Sequence, residues 1–573
     1  MDEKFDYVIC GGGSAGCVLA SRLSENGRHR VALVEAGPDT PPGREPAAIR
    51  SSYHGWSVYN PEFLWTGLKV RLPATPHNRP DALPPLRSYE QARVLGGGSS
   101  INGQLANRGL PSDYDHWVLR GASGWGWHDV LPYFRKLEQD QDFAGELHGD
   151  SGAIPVRRVP QAKWSGHAHA AAAAWAQSGL TMLPDQNGMF EDGHFPIAIS
   201  NAPADHRVSA AMGYLTQAVR ARPNLAIFTD TQAGALVFDG RRVTGVQVSG
   251  PEGARTLLAA RDVIVSQGAI HSPAYLLRNG IGPEAELRAL GITVQAHLPG
   301  VGKHLMEHPT ICVAAYLKRG ARLDLPREMG RNIFVGARYS SGLSGVPGGD
   351  MFVLAVSRPS WHAVGHRLGS LNAWVNMSHS TAGNVRLRTP HAQDEPEVRL
   401  ELLSDRRDLD RLTDAVRRLV AWHSMPPLAA VALDPFLANY TERVRKVSAP
   451  TTRNRILTGI LGRFMDVSGA TRRLAIGTAI APGPSLAELI ADEEALAARV
   501  RESVTGQWHA TCTCRMGADD DPGAVTDTSG RVRGVGGLRV CDASIMPWVP
   551  SANTNIPTLM LAEKISAQIM SEA

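Results

Sequence analysis

Phe5-Asp6-Tyr7-Val8-Ile9-Cys10-Gly11-Gly12-Gly13-Ser14-Ala15-Gly16 is the stretch that decides the fold, and Glu35 follows Gly16 by nineteen residues. The apolar run Phe5 to Cys10 reads as a strand. Small and apolar residues then recur at helical spacing through Leu23, and Arg30 to Val34 read as a second strand closed by Glu35. Together they make a βαβ unit of about 30 residues. A G-x-G-x-x-G alone says little, but here Gly11, Gly13 and Gly16 follow a strand and open a helix. Glycines at those points let the backbone turn and approach a pyrophosphate, the helix start offers unpaired N–H donors, and Glu35 can bind ribose hydroxyls. The unit reads as a dinucleotide site. An acid at position 35 disfavours a ribose 2′-phosphate, so FAD or NAD is preferred over NADP.

At 573 residues the chain is too long for one hydrophobic core, and two interleaved domains are expected. Hydrophobic residues make up 43% and charged residues 20%, the profile of a globular protein. The net charge of +4 is small for this length and argues against a dedicated nucleic-acid binder. No apolar run approaches the roughly 18 to 20 residues that span a bilayer. The first strand starts too near Met1 to leave room for a signal or transit peptide, so a cytoplasmic location is expected. Cys10, Cys17, Cys312, Cys512, Cys514 and Cys541 are too sparse for a disulfide framework, and the Cys512/Cys514 pair lacks a second pair with structural-zinc spacing. All six read as reduced thiols, and no metal site is expected.

Beyond the first unit, the proline-rich stretch Leu72 to Leu86 reads as loop. Helical patterns cover Trp125 to Gln139, His167 to Gln177, Arg207 to Arg222, Arg406 to His423 and Thr558 to Met570. Alternating runs from Leu225 to Val248 look like an antiparallel insertion, and Asp262 to Ser266 like a strand returning to the first sheet. Pro309 to Pro482 mixes strand-like runs (Met351 to Val356, Asn372 to Met377, Asn384 to Arg388) and suggests a second domain built on a sheet. Arg443 to Arg473 stands out, with eight Arg and Lys against one acid, Asp466. Ile456, Leu457, Ile460, Leu461, Phe464 and Met465 fall on one face of a helix there. The plain expectation is a surface helix packing that stripe inward; a lid over the substrate entrance and a helix resting on a membrane are the alternatives.

Two further glycine-rich loops and a C-terminal run point to one cofactor. They are Arg93-Val94-Leu95-Gly96-Gly97-Gly98-Ser99-Ser100-Ile101-Asn102-Gly103, then Gly268-Ala269-Ile270-His271-Ser272-Pro273 with Asn279-Gly280-Ile281-Gly282-Pro283. The C-terminal run holds Trp508-His509, Cys514-Arg515-Met516-Gly517, Asp542-Ala543-Ser544 and Ser551-Ala552-Asn553-Thr554-Asn555-Ile556-Pro557-Thr558. Taken together these resemble the glucose–methanol–choline (GMC) oxidoreductase family over nearly the whole chain. Within it, Gly98 to Asn102, Asn107-Arg108-Gly109-Leu110-Pro111 and Asp113-Tyr114-Asp115 look most like the bacterial 5-hydroxymethylfurfural oxidases, which act on furanic and benzylic primary alcohols.

The resemblance implies an α/β fold: a Rossmann-like FAD-binding domain assembled from separated segments, with an inserted substrate domain of antiparallel sheet and helices. The FAD-binding segments would be 1–160, 207–308 and 490–573, and the substrate domain 161–206 and 309–489. Carried over, His509 is the active-site base and Asn553 the second active-site position. The chemistry agrees, because alcohol oxidation needs a base for the hydroxyl proton and an acceptor for the hydride. The implied FAD contacts are Gly11, Gly13, Ser14, Ala15, Gly16, Glu35, Ala36, Trp65, Leu95, Gly97, Ser99, Asn102, Gly103, Gln104, Leu105, Ala233, Gly268, Trp508, Asp542, Ala543, Asn555 and Ile556. Trp374 resembles a substrate-contacting tryptophan, with ordinary sheet packing as the alternative.

Two departures bear on cofactor and substrate. Relatives that bind flavin covalently carry a His after Gly97, but this loop has Ser99-Ser100-Ile101, so FAD is expected to be non-covalent. Gly103 replaces a larger apolar residue, which opens the pocket toward a bulkier alcohol. His304-Leu305-Met306-Glu307-His308 matches the H-x-x-E-H zinc-protease pattern, but Pro309 directly after it and Pro299-Gly300 before it argue against the helix that pattern needs. The reading is an FAD-dependent primary-alcohol oxidase or dehydrogenase, reoxidised by O2 or a quinone-type acceptor. A hydroxynitrile-lyase-like enzyme on the same fold, or a non-catalytic binding protein, is the alternative.

Overall fold

The computed structural model describes residues 3–73, 83–202, 205–323, 330–439, 441–449 and 451–572; most of the proline-rich stretch 72–86 lies outside them. The first βαβ unit forms where its pattern places it: strand Glu3–Cys10, helix Ser14–Leu23, strand Val31–Val34. Strand Glu3–Cys10 pairs in parallel with Val31–Val34 on one side and with the end of Gly253–Val265 on the other. Leu225–Phe228 and Leu538–Val540 extend this sheet, both in parallel pairings. Its strands are buried on both faces and read as continuous apolar runs, as parallel strands under helices do. The expected antiparallel insertion begins later than its pattern: Leu225–Phe228 is parallel, and only Gln232–Asp239, Arg242–Gly250 and the start of Gly253–Val265 form the meander.

A second sheet has six strands, all antiparallel, in the order Ala432–Ala438, Thr310–Leu317, Leu368–Val375, Met351–Val356, Ile333–Tyr339, Gly193–Pro196. Helices Arg406–Ser424 and Gly166–Gln177 pack against it. From its strands, alternate residues Thr310, Cys312, Ala314, Leu354, Ser370 and Asn372 line a cavity, the period-2 facing of a strand. The last helix, Asn555–Glu572, packs against Ser14–Leu23. Buried Glu563 on it receives Arg22 Nε and Nη2 at 2.8–3.0 Å and the Tyr214 hydroxyl at 2.8 Å.

The helix expected over Arg207 to Arg222 is instead two short ones, Ala210–Tyr214 and Gln217–Arg220. The Ser209 and Thr216 side chains each cap a fresh start by accepting a backbone N–H. Arg207 thereby stays outside the helix and is fully buried. Its guanidinium donates to the carbonyls of Ile49 (2.8 Å), Ser99 (3.0 Å) and Asn102 (2.8 Å) and to Asn102 Oδ1 (2.9 Å). Burial, then nearby Arg331, lowers its pKa to about 9. The second glycine loop is thus held by one arginine donating into backbone oxygens. Thr452–Val467 is a helix, but Ile456, Leu457, Ile460 and Phe464 point outward, contrary to the plain expectation of inward packing.

Arg207→Met leaves those carbonyls without a donor, at about 1–3 kcal/mol each where they stay dry. The expected outcome is a lower Tm and a lower flavin-to-protein ratio than wild type. Unchanged values of both would show that the loop holds itself.

Candidate active site

Two cavity lobes meet at Ser14, Gly98, Gly268, Ala543 and Thr558, which line both. The first lobe, about 700 Å³, is bordered by Gly11, Gly13, Ala15, Glu35, Ala36, Trp65, Gly97, Ala233 and Asp542. The glycines are required by close backbone approach. Gly11 has φ +113°, and a Cβ there would sit 2.3 Å from the Ser266 carbonyl oxygen. Gly97 has φ +54°, and its Cβ would come 2.6 Å from Gly13 Cα, so the first and second glycine loops interlock. Glu35 is fixed by the N–H groups of Gly12 and Gly37, each 2.8 Å from a carboxylate oxygen. Burial raises its pKa against the pull of those donors. Asp542 accepts from Gly268 N–H (2.9 Å) and Ser272 Oγ (2.5 Å), tying the third glycine loop to the C-terminal run. An elongated space with a helix N-terminus at Ser14 and an acid at its end fits a dinucleotide.

The second lobe, about 470 Å³, is lined by Asn102, Gly103, Gln104, Leu105, Trp508, His509, Asn553 and Asn555 among the expected residues. His54, which the sequence reading passed over, also lines it, and burial lowers its pKa to about 4. Gly16, Leu95, Ser99, Ile556 and Trp374 line neither lobe. Ser99 instead braces its own loop, donating to Gly96 O at 2.5 Å and accepting from Ala210 N–H at 2.8 Å. Leu95 and Ile556 are core residues. Trp374 is a correction: it is fully buried and stacks on Phe352 with ring centroids 4.6 Å apart. It pairs with Phe352, two register pairs past Asn372 and Leu354, and neither it nor Phe352 lines the cavity.

His509 lines this lobe and is 8% exposed. Trp508 before it has φ +60°, a left-handed turn unusual for a large residue. Glu307 stabilises that turn: its carboxylate accepts the N–H of His509 (2.8 and 2.9 Å), of Gln507 (3.3 Å) and of His308 (2.8 Å), and the Tyr89 hydroxyl (2.5 Å). Burial pushes the Glu307 carboxyl up to about 7 in spite of these donors. His509 Nδ1 lies 2.8 Å from His308 Nδ1, and His509 Nε2 lies 3.2 Å from Asn553 Nδ2. Burial, then His308, holds the His509 pKa well below the ordinary histidine value. Burial likewise lowers His308 to about 4, although the carbonyls of Asn376 and Pro550 interact with its ring. Both rings are neutral at pH 7.

Glu307 and His308 come from the zinc-protease look-alike. Residues 304–308 are not helical, and His304 has φ +60°. Ligand-capable atoms of Glu307, His308 and His509 lie within 4.8 Å of one another, yet the hydrogen bonds above already engage them. Glu138, Asp140 and His148 form a similar group. It is filled by charge pairing with Arg108 and Arg158, and hydrogen bonds to Asp140, Asp185 and Glu138 outweigh burial to raise His148 to about 10.

The sequence matches the GMC oxidoreductase family over residues 5–310 and again over 378–562. The 5-(hydroxymethyl)furfural oxidase of Methylovorus sp. (strain MP688) is 42% identical, with 100% of both chains covered. An oxygen-dependent choline dehydrogenase of Burkholderia mallei (strain ATCC 23344) is 32% identical over 99% of this chain and 94% of its own. Among solved structures, pyridoxine 4-oxidase from Mesorbium loti superposes with a TM-score of 0.80 at 26% identity, covering 99% of each chain. With its glycine loops shaped for a dinucleotide and both halves of the family matched, the chain belongs to the GMC oxidoreductases and is an FAD-dependent alcohol oxidoreductase.

Proposed function

We propose that this enzyme oxidises an aryl, furanic or bulkier primary alcohol to the aldehyde, with His509 as the base and oxygen as the final acceptor. The observation that carries the reading is the His509–Asn553 pair lining the second lobe. FAD, held non-covalently along the two lobes by the glycine loops, Glu35 and Asp542, supplies the hydride acceptor. The Asn553 Nδ2 amide can only donate, so the neutral His509 ring accepts there on Nε2. His509 Nδ1 then donates to His308 Nδ1, so the His509 lone pair is on Nε2, toward Asn553 and the cavity. Nε2 takes the hydroxyl proton while Asn553 holds the oxygen without competing for it. His308 is a positioning residue that holds this tautomer.

Gly103 supports a roomy substrate, since it lines the lobe and a Cβ there would meet only Leu105 Cδ1, at 3.1 Å. The first segment (1–160), 207–308 and 490–573 form the proposed FAD domain, with 161–206 and 309–489 as the substrate domain. A lyase function is not favoured by relatives named as oxidases and dehydrogenases. Six free cysteines, five of them buried, fit a reducing compartment such as the cytoplasm.

His509→Ala is expected to slow anaerobic flavin reduction by at least about a hundredfold and leave FAD bound. Asn553→Ala removes one hydrogen bond, worth about 0.5–1.5 kcal/mol, and should cost up to about tenfold. Because the His509 pKa is depressed, wild-type reduction should stay level through neutral pH. It should fall on acidification only well below 6.5, once Nε2 is protonated. Near wild-type reduction by the 509 variant would refute His509 as the base.

Acid precipitation should release all the flavin as FAD, since Ile101 offers no nucleophile to bond it. Flavin left attached to peptide in the pellet would refute non-covalent binding.

A further inference from the structure

The segment Arg443 to Arg473 folds as helices Glu442–Ser448, Thr452–Val467 and the start of Gly469–Ala475. Its middle helix docks on the protein through one narrow face, with Leu461 half-buried at its edge. Thr458, Gly462 and Met465 are buried, and a Cβ at Gly462 would meet the Arg367 guanidinium at 2.8 Å. Asp466, the one acid of the segment, faces inward to Arg322 (3.0 Å), Arg367 (2.8 Å) and the Tyr316 hydroxyl (2.6 Å). Most of the helix's other large apolar side chains are left outside: Ile456 is 56% exposed, Ile460 62% and Val467 73%, with Leu457 and Phe464 beside them and Leu474 on the next helix. At helical spacing, 456, 457, 460, 464 and 467 fill an arc of about 100° opposite the docked side.

Arg453 continues this arc one turn toward the helix start and Arg463 borders it; Arg455 and, on the preceding helix, Arg443 and Lys446 are exposed as well, and the one acid of the segment, Asp466, is turned inward. An apolar ridge with exposed cations along its border is the pattern of a helix lying in a membrane interface. A second copy of the chain is disfavoured as the cover, since pairing this face with itself would set the cations of the two copies against each other. Beneath the same cap, Met465 packs in one cluster with Phe436 and Leu368, which line the second lobe; Val444, on the neighbouring helix, lines it too.

We propose that this outward face docks the enzyme on an anionic lipid surface, with the apolar ridge seated among the acyl chains and the arginines among the headgroups. Arg and Lys stems reach past the ridge to the headgroups, so both contributions act together. The docking is separate from the chemistry at His509. It places the cap over the second lobe against the phase into which apolar alcohols partition.

The test is flotation of the FAD-loaded enzyme with phosphatidylcholine vesicles containing or lacking phosphatidylglycerol. Wild type should float with the anionic vesicles only, and salt should weaken the binding. Combining Ile456→Ser, Ile460→Ser and Phe464→Ser should lower the partition coefficient by at least about a hundredfold. Combining Arg453→Glu with Arg463→Glu should remove the preference for anionic lipid. Both variants should keep wild-type flavin content and wild-type oxidation of a water-soluble alcohol, which shows that they fold. Three outcomes would overturn the proposal: no flotation of wild type, flotation of the serine variant like wild type, or a wild-type dimer in sedimentation that the serine variant converts to monomer.

Discussion

Glu563 of the last helix has no exposure at all, so its charge is tolerable only where donors meet it. Arg22 of the first helix supplies a two-pronged contact, Tyr214 a hydroxyl, and Lys136 an ammonium at 3.1 Å. Removing one partner of such a cluster strands a buried charge, which typically costs about 3–5 kcal/mol. This condition joins the two ends of the chain. With the last helix locked on the first, Asn555 Oδ1 takes the Ser14 hydroxyl at 2.7 Å. Asn553, two residues earlier, is then brought into the lining of the second lobe. A dinucleotide cradle written in the first forty residues and an active-site amide from the last thirty become one site.

A second buried acid does the same for His509. Glu307 receives three backbone N–H groups and one hydroxyl, and two of those N–H groups flank the left-handed turn at Trp508. Backbone held in that region costs about 1–3 kcal/mol and persists where the surroundings over-determine it. Glu307 provides that surplus. The ring of His509 is consequently positioned by its own main chain and by His308, with Nε2 turned to Asn553 in the second lobe.

Features that rest on local pattern were legible in the sequence. The βαβ unit, the long helix over Arg406–Ser424 and the glycine loops all follow from periodicity and from residues that alone fit a crowded or left-handed backbone. Features decided by distant partners were not. The break before Gln217 depends on Thr216 acting as a cap, which looks the same as a mid-helix threonine until the fold is known. Trp374 sits on the strand face that lines the cavity, but whether the face is still open at that position depends on Phe352 across the sheet. Glu307 and His308 were visible as a motif, and the spacing pointed to the wrong chemistry. Their true partners, Tyr89 and His509, lie about two hundred residues away on either side.

Reaction and selectivity have separate physical sources in this architecture. His509 and Asn553 are held by hydrogen bonds and buried charge, and the glycine loops by close backbone contacts where a single added methyl group collides with main chain. The opposite wall is made of alternating side chains from an antiparallel sheet: Ala314, Leu354, Leu368 and Phe436 among polar Thr310, Ser370 and Asn372. Exchanging such side chains reshapes the lobe with no change to the hydrogen-bond ladder behind them. Substitutions in the glycine loops are therefore felt first in cofactor retention. With His509 as the proposed base, substitutions along the strand wall are felt first in which alcohol the second lobe accepts.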